Sequence, residues 1–285
     1  MLEVIEKGPG RDSAKPPVLF VHGAWHGAWC WDEYFLDFFA EKGYRTVALS
    51  LRGHGNSTAP RSMRWCSIAD FVDDVEAVAN GLPERPVVVG HSLGGFVVQK
   101  YLESHHAPAA VLLASAPPSG ITGFLLRRFK RHPWHTAAAL ARTRSLRGVG
   151  GTPELARETF FSASTPDADV ARYTALLCEE YAVRIASDMV WQSLPKPHLV
   201  TAPLLVLGAD EDVCFTRQEV HSTAAAYRTE AEFFPNMSHD MMLDPGWASV
   251  ADRIHRWLET LAAQGESASP RTARQALDAV EERRA

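Results

Sequence analysis

Six short apolar runs set the fold of this chain: Pro17 to Val21, Tyr44 to Leu49, Val87 to Gly90, Ala110 to Ala114, Leu204 to Gly208 and Ala231 to Phe234. Runs of this length, apolar almost throughout, read as strands buried on both faces. Segments with helical pattern separate most of them. One runs from about Trp29 to Lys42 and closes at Gly43. Another, Ile68 to Asn80, has apolar residues at 68, 71, 72, 75 and 78 and is ended by Gly81 and Pro83. Further helices are expected over 96–104, about 216–228, and from about Trp247 to Ala262. Strands alternating with helices specify an α/β fold, a mostly parallel twisted sheet covered by helices on both faces.

The alternation breaks once. From Pro117 to Pro203 there are helical patterns at 121–131, 134–147, 153–161, 168–182 and 183–193, and no convincing strand. One α/β core (1–118 and 200–262), interrupted by a helical cap insertion (119–199), is therefore expected in preference to two sequential domains. A C-terminal tail, 263–285, rich in Ser, Ala, Arg and Glu, is expected to be loosely attached.

Composition excludes more than it selects. The net charge of −5 gives no reason to expect nucleic acid as a partner. No apolar run is long enough to span a bilayer, so no transmembrane segment is expected. The N-terminus has no basic stretch leading into an apolar one. Cys30, Cys66, Cys178 and Cys214 lie far apart and read as buried free thiols, so a cytoplasmic location is expected. The histidines show no metal-ligand spacing, and no metal is expected. One stretch is anomalous. Between Phe124 and Arg147 stand Arg127, Arg128, Lys130, Arg131, Arg142, Arg144 and Arg147 with no acidic residue, beside Phe124, Leu125, Leu126, Phe129 and Trp134. A solvated basic face is one reading, and weak contact with an anionic surface or acidic substrate is the other.

The chemistry starts at Gly90-His91-Ser92-Leu93-Gly94. A G-x-S-x-G pentapeptide alone is weak evidence, arising by chance roughly one time in ten in a chain this long. Here it joins a strand to a helix. A turn that tight pushes the serine hydroxyl out over the sheet end, and glycines at 90 and 94 remove side chains that would collide there. Ser92 is thus a candidate nucleophile, with the N–H of Leu93 placed to bind an oxyanion. A serine hydroxyl needs a base, and the base an orienting acid. In an open parallel sheet those partners sit beyond the carboxyl ends of other strands. Two such ends qualify: Gly208-Ala209-Asp210-Glu211-Asp212-Val213, and Pro235-Asn236-Met237-Ser238-His239-Asp240.

The order Ser, acid, His, together with the elbow, resembles the α/β-hydrolase fold superfamily, in its serine hydrolase and esterase branch. The likeness covers about residues 15 to 262 apart from the detail of the helical insertion. It rests on five segments: Phe20-Val21-His22-Gly23-Ala24-Trp25, Leu51 to Ser57, Gly90 to Gly95, Val206 to Asp212, and Ser238 to Leu243. His22-Gly23-Ala24 with His26-Gly27-Ala28-Trp29 also resembles the small esterases related to plant methylesterases and hydroxynitrile lyases. The resemblance implies Ser92 as nucleophile and His239 as base. Of the three acids, Asp212 stands where the family places its carboxylate, with Asp210 and Glu211 as alternatives. It implies Ala24 as the second oxyanion donor. Where family members carry an aspartate before the turn at 52–57, this chain has Ser50-Leu51. The resemblance implies hydrolysis of a small-molecule carboxylic ester or thioester, with no cofactor. Hydroxynitrile-lyase-like chemistry, a haloperoxidase-like side activity and a slow-turnover ligand receptor are alternatives within it. Trp25 and Trp29, flanking the oxyanion loop, are candidate pocket residues, with core packing the equal alternative for both.

Overall fold

The strands owe their burial to side chains that alternate between two cores. Phe20, Ala48, Val89, Val111 and Leu207 pack on one face of the sheet, while Leu19, Leu49, Val88, Leu112 and Val206 pack on the other. Both faces are dry, so the runs are apolar without alternation. The computed structural model describes residues 1–9, 13–59, 63–134, 150–180 and 182–267.

The strands are β1 (Glu3–Lys7), β2 (Val18–Val21), β3 (Thr46–Ser50), β4 (Val87–His91), β5 (Ala110–Leu113), β6 (Leu204–Ala209) and β7 (Ala231–Phe234). They form one sheet in the order β1-β3-β2-β4-β5-β6-β7. All neighbours pair in parallel except β1, which runs antiparallel to β3 along the edge. After β2 the chain crosses to β3 on one side, and after β4 to β5 on the other. The loops leaving β2 and β4 therefore diverge at a switch point, which in open α/β sheets is where a crevice forms.

Among the described residues the α-helices are α1 (Trp29–Asp32), α2 (Phe35–Glu41), α3 (Ile68–Asn80), α4 (Leu93–Tyr101), α5 (Thr122–Arg131), α6 (Pro153–Phe160), α7 (Asp167–Leu176), α8 (Ala182–Ser187), α9 (Arg217–Ala226) and α10 (Trp247–Ser267). α3 starts with a capping box between Ser67 and Asp70, which satisfies two otherwise orphaned N–H groups. Between β5 and β6 the described residues contain helices and no strand.

Three elements differ from the sequence reading. β1 was not anticipated, because its alternating half-buried pattern looks like a polar terminus until β3 is there to pair with it. The single helix expected from Trp29 to Lys42 is two, broken at Tyr34 (φ −145°, ψ −45°). There the Tyr34 ring stacks 4.7 Å from Trp247, a tertiary contact that outweighs helix continuity. The helix expected over 168–182 ends at Leu176, and Leu177 is extended (φ −63°, ψ 137°). Its neighbour Cys178 donates its backbone N–H to the Trp25 carbonyl at 2.8 Å, which holds this strip of chain against the loop after β2. Apart from Trp134, the helix expected over 134–147 lies outside the described residues, as does the tail from 268 onward, while residues 263–267 of the expected tail continue α10.

Candidate active site

At the end of β4, Ser92 has φ +50° and ψ −116°, a conformation that L residues rarely adopt and that costs about 1–3 kcal/mol. The local packing maintains it. A Cβ on Gly90 would lie 2.5 Å from the Gly94 carbonyl oxygen and 2.7 Å from the Gly95 Cα. A Cβ on Gly94 would strike the carbonyl oxygens of Val21 and His22, at the end of β2. The turn is thus wedged against the neighbouring strand loop, and only hydrogen atoms fit between them. Leu93 opens α4, where its N–H has no carbonyl one turn back.

The loop after β2 comes in from the other side of the switch point. Its His22 is buried, with Nδ1 2.7 Å from the Gly23 carbonyl and Nε2 accepting from Leu51 N–H at 3.0 Å. Burial and the neighbouring His54 hold its pKa well below the ordinary value, so it is a neutral spacer. Trp25 adopts φ +65°, pinned through its carbonyl by Cys178 and through its N–H by the Glu180 carboxylate at 3.4 Å.

His239 and Asp212 come from the loops after β7 and β6. His239 Nδ1 donates to Asp212 Oδ2 at 2.9 Å, and both side chains are buried (3% and 1% exposed). Asp212 Oδ1 accepts from the backbone N–H groups of Cys214 (2.7 Å) and Phe215 (3.2 Å), which fixes the carboxylate in one orientation. Burial alone would depress the His239 pKa, but the Asp212 carboxylate opposes it, and the result lies well above the ordinary value. Asp210 is exposed and paired with Arg217, and Glu211 is exposed too. Of the three acids, only Asp212 reaches the imidazole.

Ser92, Leu93, Ala24, Trp25 and His239 line one cavity, whose remaining wall is mostly apolar: Ile121, Phe124, Leu125, Ile185, Ala186, Met189 and Phe215, with Glu180 and Cys214. Trp29 is not in that wall. As the first residue of α1 it is half-buried against the core and stacks on His26 (5.4 Å) and Tyr173 (6.0 Å). Of the two candidate tryptophans, Trp25 lines this cavity and Trp29 packs beside it.

Several residues around the site carried no sequence signal. Asp240, fully buried, pairs with His26 Nε2 at 2.9 Å and ties the histidine loop to the oxyanion loop. His91 Nε2 lies 3.0 Å from the His239 carbonyl and donates to it, since a carbonyl can only accept. Burial and the adjacent His239 bring the His91 pKa down to about 3. Cys214 sits beside His239, and burial raises its thiol pKa above the usual value. It therefore stays protonated and does not compete as a nucleophile. Two described groups bring possible metal ligands within 4.8 Å of one another, His91/His239/Asp240 and Asp212/Cys214/His239. Both share His239, whose Nδ1 is already engaged by Asp212. In the basic segment, Arg127 pairs with Glu219 and Arg131 with Glu158. Acids from α9 and α6 thus neutralise part of a stretch that looks uniformly basic in sequence. Arg142, Arg144 and Arg147 lie outside the described residues. No described helix is long and apolar enough to cross a membrane.

A sequence model of the alpha/beta hydrolase family matches residues 18–253. A non-heme chloroperoxidase of Streptomyces lividans is 38% identical over 106 residues, covering 36% of this chain and 37% of that protein. A probable esterase of rice (Oryza sativa subsp. indica), PIR7A, is 37% identical over 121 residues, covering 40% of this chain and 44% of that one. The chain thus matches about two fifths of the length of these relatives. Among solved structures, one from a study of carboxylesterases of Nitrososphaera gargenis superposes with a TM-score of 0.70, covering 92% of this chain and 96% of that one. At 15% identity this is a likeness of fold.

Proposed function

Because the chain belongs to the alpha/beta hydrolase family, we propose that it is a serine hydrolase that cleaves a carboxylic ester or thioester through Ser92, His239 and Asp212. The observation that carries this reading is the buried 2.9 Å contact of His239 with Asp212, on the wall of the same apolar cavity as the strained Ser92. In this scheme His239 takes the Ser92 proton as the oxygen attacks the carbonyl. The N–H groups of Leu93 and Ala24 hold the oxyanion, each worth about 3–4 kcal/mol in the transition state. His239 then protonates the leaving alcohol or thiol, and water repeats the sequence to release the acid from Ser92. Asp212 keeps the proton on Nδ1, so that Nε2 is the basic atom. The helices between 119 and 199 act as the cap, and substrate enters between them and the sheet end.

The test is labelling with a fluorophosphonate, followed by p-nitrophenyl esters of graded chain length. The wild-type protein should label at Ser92 and turn over short or medium esters, and Ser92→Ala should do neither. Labelling or turnover that survives in Ser92→Ala sinks the mechanism. Labelling without turnover of any ester sinks hydrolysis and favours a lyase or receptor use of the same residues.

A further inference from the structure

Among the described residues, the cavity wall away from Ser92, His239 and Cys214 is apolar but for the Trp25 indole N–H and one carboxylate. Glu180, on the extended strip after α7, is 2% exposed and contributes to the wall that also holds Ser92. Its Oε2 accepts from His54 Nε2 at 2.9 Å and from Trp25 N–H at 3.4 Å. Its Oε1 is buried and has no hydrogen-bond partner among the described residues. A carboxylate oxygen left unpaired in such a place is costly, and its partner is expected to come from whatever fills the cavity.

The charge state of the pair narrows the chemistry of that partner. His54 faces an acceptor at each ring nitrogen, the Arg52 carbonyl at 3.2 Å from Nδ1 and Glu180 at Nε2. Only the doubly protonated ring can donate to both. Burial works against that charge, but Glu180 more than restores it, and the His54 pKa lies above the ordinary value. The His54–Glu180 pair is therefore neutral as a unit. It offers no net charge to attract an ammonium group, and it offers one free acceptor to a neutral donor. The acceptor is close to the reaction centre, because Trp25, which Glu180 touches, is the residue after Ala24, and consecutive Cα atoms are about 3.8 Å apart.

We propose that Glu180 Oε1 anchors the substrate, accepting a hydrogen bond from a hydroxyl or amide N–H carried a few bonds from the scissile carbonyl. The preferred substrates are then hydroxylated or amide-bearing esters with an otherwise apolar body. This rests on the ester-hydrolase reading above and specifies its substrate class. A purely hydrocarbon ester leaves Oε1 unpaired, and sites built to bond a polar group discriminate strongly against analogues that lack it.

The test compares matched esters: methyl hexanoate with its 2-hydroxy and 3-hydroxy derivatives, and ethyl hexanoate with 2-hydroxyethyl hexanoate. In the wild-type protein at least one hydroxylated ester should exceed its plain counterpart in kcat/KM by about tenfold or more. Glu180→Leu should bring that ratio to near one. Glu180→Gln keeps the shape and a weaker acceptor, so its ratio should fall between the two, and it serves if the leucine variant does not fold. The same pairs are titrated against Ser92→Ala, in which binding is read without turnover and should show the same preference. Equal kcat/KM across all pairs in the wild-type protein overturns the anchor and leaves the hydrolase reading intact. A hydroxyl preference in binding by Ser92→Ala, with no turnover by the wild type, supports the anchor and overturns the hydrolase reading. Neither turnover nor preferential binding overturns both.

Discussion

At the scale of single residues, the protonation of His239 controls the proposed chemistry. Its pKa is raised by Asp212, and a base works only when deprotonated, so kcat/KM should climb with pH along a limb lying above about 6.5, the ordinary histidine value. Asp212→Asn removes the opposing charge. The limb should then move to lower pH, while the plateau drops by roughly 10⁴-fold because the imidazole loses its tautomer and orientation. A pH–rate profile of both proteins checks this, and a limb that stays put in Asp212→Asn contradicts the coupling. The residues in this scheme were legible because each stands at a strand end in a recognisable pattern. Glu180, Asp240 and His26 were not, since what matters about them is a partner 155, 214 or 126 positions away in the chain. Spacing along a sequence cannot report such pairs.

At the scale of elements, the elbow is a contact between two loops as much as a turn within one. Gly94→Ala should force the end of β2 away from α4, because its Cβ meets backbone rather than a flexible side chain. A loss of about 1–3 kcal/mol in urea unfolding is expected, as for other overpacked sites, together with loss of fluorophosphonate labelling. Unchanged stability would mean that the loops are less tightly wedged than described. Strands and long helices were legible because burial on two faces, or on one stripe, imposes its period on local sequence. The break at Tyr34 and the end of α7 at Leu176 were not legible. Each depends on a contact with a distant element, Trp247 in one case and the Trp25 carbonyl in the other.

For the molecule as a whole, buried histidines of opposite habit make stability depend on pH in two directions. His22 and His91 have depressed folded-state pKa values, with His91 at about 3. Their contribution is present above about pH 6.5 and is lost as pH falls, because the unfolded chain takes up protons that the folded one refuses. His54 and His239 are raised, so their contribution is present below about pH 6.5 and is lost as pH rises through their folded values. Unfolding free energy should therefore decline on both sides of about pH 6.5. His91→Asn keeps a donor for the His239 carbonyl and removes the titration. Between pH 5 and 6 it should flatten the acid side by about 1.4 kcal/mol per pH unit, the value for one linked proton. Urea titrations across that range decide it, and an unaltered slope would contradict a neutral buried His91.

Sequence alone determined the α/β class, the helical stretch between β5 and β6, and the strand ends from which Ser92, Asp212 and His239 come. These are local matters: burial writes a period of two or 3.6 into neighbouring residues, and a tight turn demands glycine beside it. Tertiary structure alone decided that Trp25 and not Trp29 lines the cavity, and that Glu180, buried at the same wall, keeps one carboxylate oxygen without a hydrogen-bond partner among the described residues. The direction and pairing of a side chain depend on elements that sequence places far apart and only the packed sheet brings together.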